Sequence, residues 1–273
     1  MILIKVIKYG QNNKSMNFFF FLDHEDSELG SQCDIFNYPA AKHLSVYESI
    51  DRLLIAYYSD GTKWYSKIIT KIAKDESLSL NKNELPFDFK DKSVIFSLYP
   101  ETDYNLQFPY IQKKVKSIPS WRCNIKIISS NTSTSYQGDL PPNFLTKNLS
   151  LVSCSPMLQF DKNIDNYFYL INFTVDPTKK DFTLRSKNQF HSSVSFNFKT
   201  NSINVINLSD LIKDSKSNFL ITTSKDHGGI PIYLSKTKDN TSMSLEHTHP
   251  PTEYLFLGNR FYFQKLKKNF YLK

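Results

Sequence analysis

Apolar and polar positions along this chain change over over short distances. Runs rich in Val, Ile, Phe, Tyr and Thr occur at residues 53–58, 67–72, 93–98, 124–128, 167–175, 194–198, 219–223 and 254–256, and each is bounded by Asp, Asn, Gly or Pro. Several keep a two-residue period. In 194–198 it sets Val194, Phe196 and Phe198 on one face, the arrangement of a half-buried strand. Many such runs separated by turn residues predict a mainly-β chain built as sandwiches or barrels. Helix signals are few, and residues 208–214 predict one short turn or helix. Pro141-Pro142 and Pro250-Pro251 mark bends.

An internal repeat shapes the expected organisation. Residues 54–63 lie over 170–179 at an offset of 116, with Leu, Ile, Asp, Thr and Lys identical. Downstream, Asn81-Lys82-Asn83-Glu84-Leu85 resembles Asn207-Leu208-Ser209-Asp210-Leu211, and each copy then returns to a strand-like run. Two copies predict two tandem β-sandwich domains from a duplication, at residues 1–113 and 118–273. The basic, Pro-containing stretch 110–119 would join them.

Composition limits the function. The 273 residues are 40% apolar and 15% aromatic with only seven Gly, enough to build a sizeable core and to exclude global disorder. The formal charge is +8, but only four of the 34 basic residues are Arg: Arg52, Arg122, Arg185 and Arg260. A nucleic-acid reader would lean on Arg forks, so nucleic acid is not an expected partner. Cys33, Cys123 and Cys154 have neither the count nor the spacing of a disulfide framework or zinc knuckle, and Cys123 and Cys154, in strand-like runs, read as buried thiols. The most apolar run, 17–22, is far short of the ~20 residues that span a bilayer. The N-terminus alternates with charge, unlike a signal peptide. No membrane partner is expected, and the cytoplasm is the expected location. The aromatic C-terminus, 261–271, reads as a closing strand with a lysine tail.

Three constellations carry candidate chemistry. In Glu246-His247-Thr248-His249-Pro250-Pro251-Thr252-Glu253, a strand would turn His247 and His249 to one ion, with Glu253 adding an oxygen and His227 a third nitrogen. This spacing resembles the first metal-binding motif of cupins. It departs from that family in lacking both the preceding glycine and any later histidine. The second constellation is the polar stretch 129–142, expected as a loop. Tyr136, Gln137 and Asp139 there suit a carbohydrate, the ring stacking on a sugar face and the amide and carboxylate pairing with hydroxyls. The third is nucleophilic. Cys154 and Ser135 sit in no Gly-x-Ser-x-Gly elbow or cysteine-protease signature, and no phosphate-cradling glycine loop occurs.

The run 54–60, followed by a strand and a Glu-Leu end, resembles the bacterial sensory rhodopsin transducer-like proteins. The second copy resembles them through Asn207-Leu208-Ser209-Asp210-Leu211 and Gly229-Ile230-Pro231-Ile232. The matches cover a minor part of each half. Those proteins are small oligomeric β-sandwiches similar to carbohydrate-binding modules, and the resemblance implies binding rather than catalysis. It implies no coupling to a rhodopsin.

Two readings therefore stand. One is a non-enzymatic β-sandwich binding or assembly module without a cofactor, its partner a glycan or a protein, including a second copy of the chain. The other is a cupin-like metal-dependent enzyme or metal-binding protein holding one divalent transition metal on His227, His247, His249 and Glu253. Whether the chain is an enzyme is left open between them.

Overall fold

The computed structural model describes residues 18–24, 26–38, 49–110, 123–140, 142, 145, 151–154, 161–188, 193–209, 220–224 and 227–247. Sixteen strands lie among them. The first eight are β1 (Phe19–Phe20), β2 (Gly30–Phe36), β3 (Arg52–Ser59), β4 (Trp64–Ile72), β5 (Ser77–Asn81), β6 (Ile95–Pro100), β7 (Cys123–Ile128) and β8 (Ser133–Gly138). The second eight are β9 (Leu151–Cys154), β10 (Ile164–Asn172), β11 (Phe182–Asn188), β12 (Ser193–Phe198), β13 (Ser202–Asn207), β14 (Leu220–Ser224), β15 (Ile230–Thr237) and β16 (Met243–His247). The chain is mainly β, as its two-residue periodicity predicts.

The helical segments described are a 3-10 turn at Lys82–Glu84 and the short α1 at Phe87–Lys90. The turn is closed by a capping box, in which the Asn81 N–H donates to Glu84 Oε2 at 2.9 Å. Pro86 then precedes α1. Of the expected helix at 208–214, only Leu208 and Ser209 fall within the described residues. No helix among the described residues is long and apolar enough to cross a membrane.

The strands form four antiparallel sheets, ordered β1-β6-β3-β4, β5-β2-β7-β8, β12-β11-β14-β9 and β13-β10-β15-β16. Numbered within its own set of eight, each half has one sheet 1-6-3-4 and one sheet 5-2-7-8. The two halves thus share one strand connectivity. The expected boundary at 113–118 falls inside the first half, because β7 pairs with β2 and β8 pairs with β7. Proline and lysine at 110–119 looked like a linker, but the partner strand of β7 lies some 90 residues earlier in the chain, beyond the reach of a local signal.

The repeat divides in two. Residues 54–59 belong to β3, the third strand of its set, whereas 170–172 end β10, the second of its set. What these segments share is a turn. The Asp60 carboxylate accepts the N–H and the hydroxyl of Thr62 at 2.8 and 2.7 Å. Asp176 does the same for Thr178 at 2.9 and 2.8 Å. Asp239 and Thr241 repeat the motif, so Asp-x-Thr marks a turn type and not an equivalent strand. The downstream match is topologically in step: Asn81 ends β5, and Asn207 ends β13, the fifth strand of its own set.

One apolar cluster runs through both halves, from Phe18 and Leu54 to Ile232 and Leu245. A smaller one belongs to the second half alone. Strand β10 separates them by its pleat. Phe168 and Leu170 enter the smaller cluster, while Tyr169 and Ile171 enter the shared one, because successive side chains point to opposite faces. Strand β15 does likewise, with Tyr233 on one side and Ile232 and Leu234 on the other. The central strands β10 and β15 of the sheet β13-β10-β15-β16 are therefore buried on both faces. Polar contacts reinforce the junction: Trp64 Nε1 donates to the Val175 carbonyl at 3.2 Å, and the Ser93 and Ser202 hydroxyls meet at 3.0 Å.

Candidate functional site: the outer face of the β5-β2-β7-β8 sheet

In the first half, the sheet β5-β2-β7-β8 buries Cys33, Ile35, Leu80, Cys123, Ile125 and Ile127 on its inner face. The alternate residues look outward. Register sets them in two rows across the four strands. Ser79, Asp34, Asn124 and Gln137 are consecutive cross-strand partners. Asn81, Gln32, Lys126 and Ser135 form the neighbouring row. Each row crosses three interstrand gaps of about 4.8 Å.

Asp34 is the centre of this face. It is only 8% exposed, and both carboxylate oxygens are engaged. Oδ1 accepts Gln32 Nε2 at 2.6 Å and the Ser79 hydroxyl at 2.8 Å. Oδ2 accepts Asn124 Nδ2 at 3.2 Å and lies 2.6 Å from the Lys126 ammonium. Burial pushes the Asp34 carboxyl up, but the Lys126 ammonium and the Gln32, Ser79 and Asn124 donors outweigh it and hold the group below the usual carboxylate range. With their amide nitrogens committed to Asp34, Asn124 and Gln32 have carbonyl oxygens to offer as acceptors. Lys126 has further protons to donate, and Gln137 is exposed. Phe36 continues the β2 face beyond Asp34. Its ring lies 6.4 Å from that of Tyr38, which is 43% exposed.

The residues expected from sequence fall in different places. Gln137 lies on this face. Asp139 follows β8, half-buried, outside the two rows. Tyr136 is turned the other way: at 8% exposed it joins the core and presents no ring face to a sugar. The expected loop at 129–142 is largely the β7–β8 hairpin and β8 itself. Its serines and threonines are the solvated face of an edge strand, which reads as a loop by composition. Gly138 makes the inward turn of Tyr136 workable. A Cβ there would sit 2.3 Å from the Tyr136 hydroxyl oxygen and 2.4 Å from its ring. The residues that sequence reading missed are Gln32, Asp34, Ser79, Asn124 and Lys126. Their signal was the polar half of the alternation in Asn124-Ile125-Lys126-Ile127 and Gln32-Cys33-Asp34-Ile35.

Of the histidine cluster, His227 precedes β15 and its ring is stacked on Phe182, with centroids 4.1 Å apart and planes 3° from parallel. His247 closes β16 opposite Ile232. His249 and Glu253 lie outside the described residues. Among the described residues, no group of three or more His, Cys, Asp or Glu is placed to hold a metal ion.

No family model matches this chain, and neither a curated protein nor a solved structure gives a match.

Proposed function

We propose that the chain is a non-enzymatic binding module, a tandem of two duplicated β-sandwiches, that takes a carbohydrate on the outer face of the β5-β2-β7-β8 sheet. The supporting observation is the Asp34 network. One buried carboxylate fixes two amides and an ammonium in adjoining rows, so acceptors and donors stand ready for hydroxyl groups with little ordering left to do. The Phe36–Tyr38 pair at the end of the strip offers the apolar surface that a sugar ring face requires. The resemblance to sandwiches similar to carbohydrate-binding modules, and the shared connectivity of the halves, point the same way.

The test is glycan-array screening of the full chain, followed by calorimetry with the best ligand on Gln137→Ala and Asn124→Ala. Each variant should weaken binding about fivefold to 150-fold, at the ~1–3 kcal/mol of a hydrogen-bond partner lost from the bound complex, with little change in Tm for exposed Gln137. A chain that binds no glycan, or variants that bind as the wild type does, would refute the reading.

A further inference from the structure

The charge on the candidate face is confined to one pair. Among the described residues, Asp34 and Lys126 are the only ionisable side chains at the outward positions of β5, β2, β7 and β8. Just past the strand ends, Lys82 is held by Asp23 at 2.7 Å, and Asp139 adds an acid, not a base. A chain with a formal charge of +8 therefore carries a sheet face whose outward charges cancel.

The cancellation is built into the geometry. The Lys126 ammonium is 2.6 Å from Asp34 Oδ2, and the two side chains are 29% and 11% exposed. Asp34 is not free to swing away. Its Oδ1 accepts Gln32 at 2.6 Å and Ser79 at 2.8 Å, and Oδ2 also accepts Asn124 at 3.2 Å. Those donors come from β2 itself, from β5 and from β7, so three strands hold one carboxylate against one ammonium.

We propose that Asp34 sets the specificity of this face: by holding the Lys126 charge it admits uncharged glycans and turns away uronates and sulfated sugars. The inference rests on the carbohydrate reading above and names the class of sugar. A hydroxyl can accept an ammonium proton that lies outside the ion pair and leave the pair in place. A carboxylate or sulfate competes with Asp34 for the ammonium itself. Where it wins, it strips the cation from a carboxylate that is only 8% exposed, and a buried charge without its partner is strongly unfavourable. Where it loses, it stands beside Asp34 and meets like-charge repulsion. The amides discriminate in the same direction. The Asn124 and Gln32 nitrogens are committed to Asp34, so their carbonyl oxygens can accept from a hydroxyl but have nothing to give an anion.

The experiment is competition calorimetry on the full chain at about 0.15 M salt, where charges more than ~8 Å away are largely screened. The neutral probes are oligosaccharides of glucan, mannan, xylan and chitin. The acidic probes are oligogalacturonate, hyaluronan and heparin fragments. The wild type should bind a neutral probe, and no acidic probe should displace it. Asp34→Asn frees the Lys126 ammonium and should bring an acidic probe into competition. The ratio of acidic to neutral Kd should fall about tenfold or more, the scale of one charge-assisted hydrogen bond. The ratio is the readout because a merely structural loss weakens both classes alike. Should Asp34→Asn fail to fold, Asp34→Thr removes the same charge with a β-branched strand former. A wild type that prefers an acidic probe would overturn the inference and leave the carbohydrate reading standing. A folded variant at position 34 with the wild-type ratio would do the same. A chain that binds no probe of either class would overturn both.

Discussion

Asn37 makes the strongest stability prediction. It follows β2 and is completely buried. Its Nδ2 reaches three carbonyls, those of Ile50 at 2.9 Å, Ile72 at 3.0 Å and Ala73 at 2.9 Å, and its Oδ1 accepts Nη1 of Arg52. Its backbone adds bonds to Glu76 and Asp75 at 2.9 and 3.2 Å. One side chain thus ties the end of β2 to the start of β3 and to the β4–β5 turn. Arg52 is also fully buried, and burial lowers its guanidinium to about 10, so it stays charged at neutral pH. Asn37→Ala takes an acceptor from a buried cation and a donor from the Ile72 oxygen, while the Ala73 oxygen keeps only the Glu76 N–H at 3.3 Å. Each buried polar group left without its partner costs ~1–3 kcal/mol, so the sum is about 3–5 kcal/mol. That is a large share of the ~5–15 kcal/mol that holds a typical native protein. Urea unfolding followed by tryptophan fluorescence would measure it, with exposed Asn83→Ala as the control expected within about 0.5 kcal/mol of the wild type. A loss below about 1 kcal/mol for Asn37→Ala would show that Asn37 is no hub, and the account of the β2–β3–β4 junction would fall.

Further outcomes follow from the same sheet. Gly138→Ala should cost roughly 1–3 kcal/mol by forcing the Tyr136 ring from its place, and Tyr136→Ala about 3–5 kcal/mol as a buried aromatic truncation. Melting curves at or near the wild type for both would place Tyr136 outside the core. Asp34 has its carboxyl below the usual range, so its contribution is present above that range and drains as the pH falls through it. Asp34→Asn should therefore be less stable than the wild type at pH 7 and lose less between pH 5 and 3. Parallel pH–stability curves would contradict the network's charge.

How much of this was legible depends on which side chains a strand needed. The strands at 124–128 and 194–198 were readable because their apolar positions recur every second residue, and that at 53–58 because it is an unbroken run of apolar and aromatic residues bounded by polar ones. Strand β2 was not, since Gly30-Ser31-Gln32-Cys33-Asp34-Ile35-Phe36 offers only Cys33 and Ile35 to the core and fills its outer face with a polar network. Strand β8 was hidden for the same reason. An edge strand with a solvated face needs one inward aromatic, and Tyr136 supplies it amid serines that look like a loop. The site was half visible: Gln137 was singled out, but its neighbours in register, Asn124, Ser79 and Asp34, lie 13, 58 and 103 residues earlier in the chain, which no local pattern links. The repeat was misleading where turn chemistry imitated homology, at Asp60 and Asp176, and in step where a strand end was compared with its topological equivalent, at Asn81 and Asn207.

The equivalence of the two halves sharpens the functional argument. Strands β2 and β10 hold the same place in their sheets, yet their outward faces differ in kind. In β2 the face is Gln32, Asp34 and Phe36; in β10 it is Tyr167, Tyr169 and Ile171. The second face carries Tyr169 and Ile171 into the shared core, with Ile232 and Leu234 of β15 beside them. Such an apolar surface is unsuited to solvent, and the first half covers it. The matching face of the first half has no apolar row to hide, and its one deeply buried charge is neutralised in place by Lys126. Its polar groups are ordered at the cost of conformational freedom, an expense that docking between halves does not require. On the proposed reading, a ligand that offers hydroxyls to those fixed amides and ammonium is the physical reason to maintain it. On that proposal the chain should show one binding face, not two, because the sheet that would carry the second is consumed in holding the molecule together.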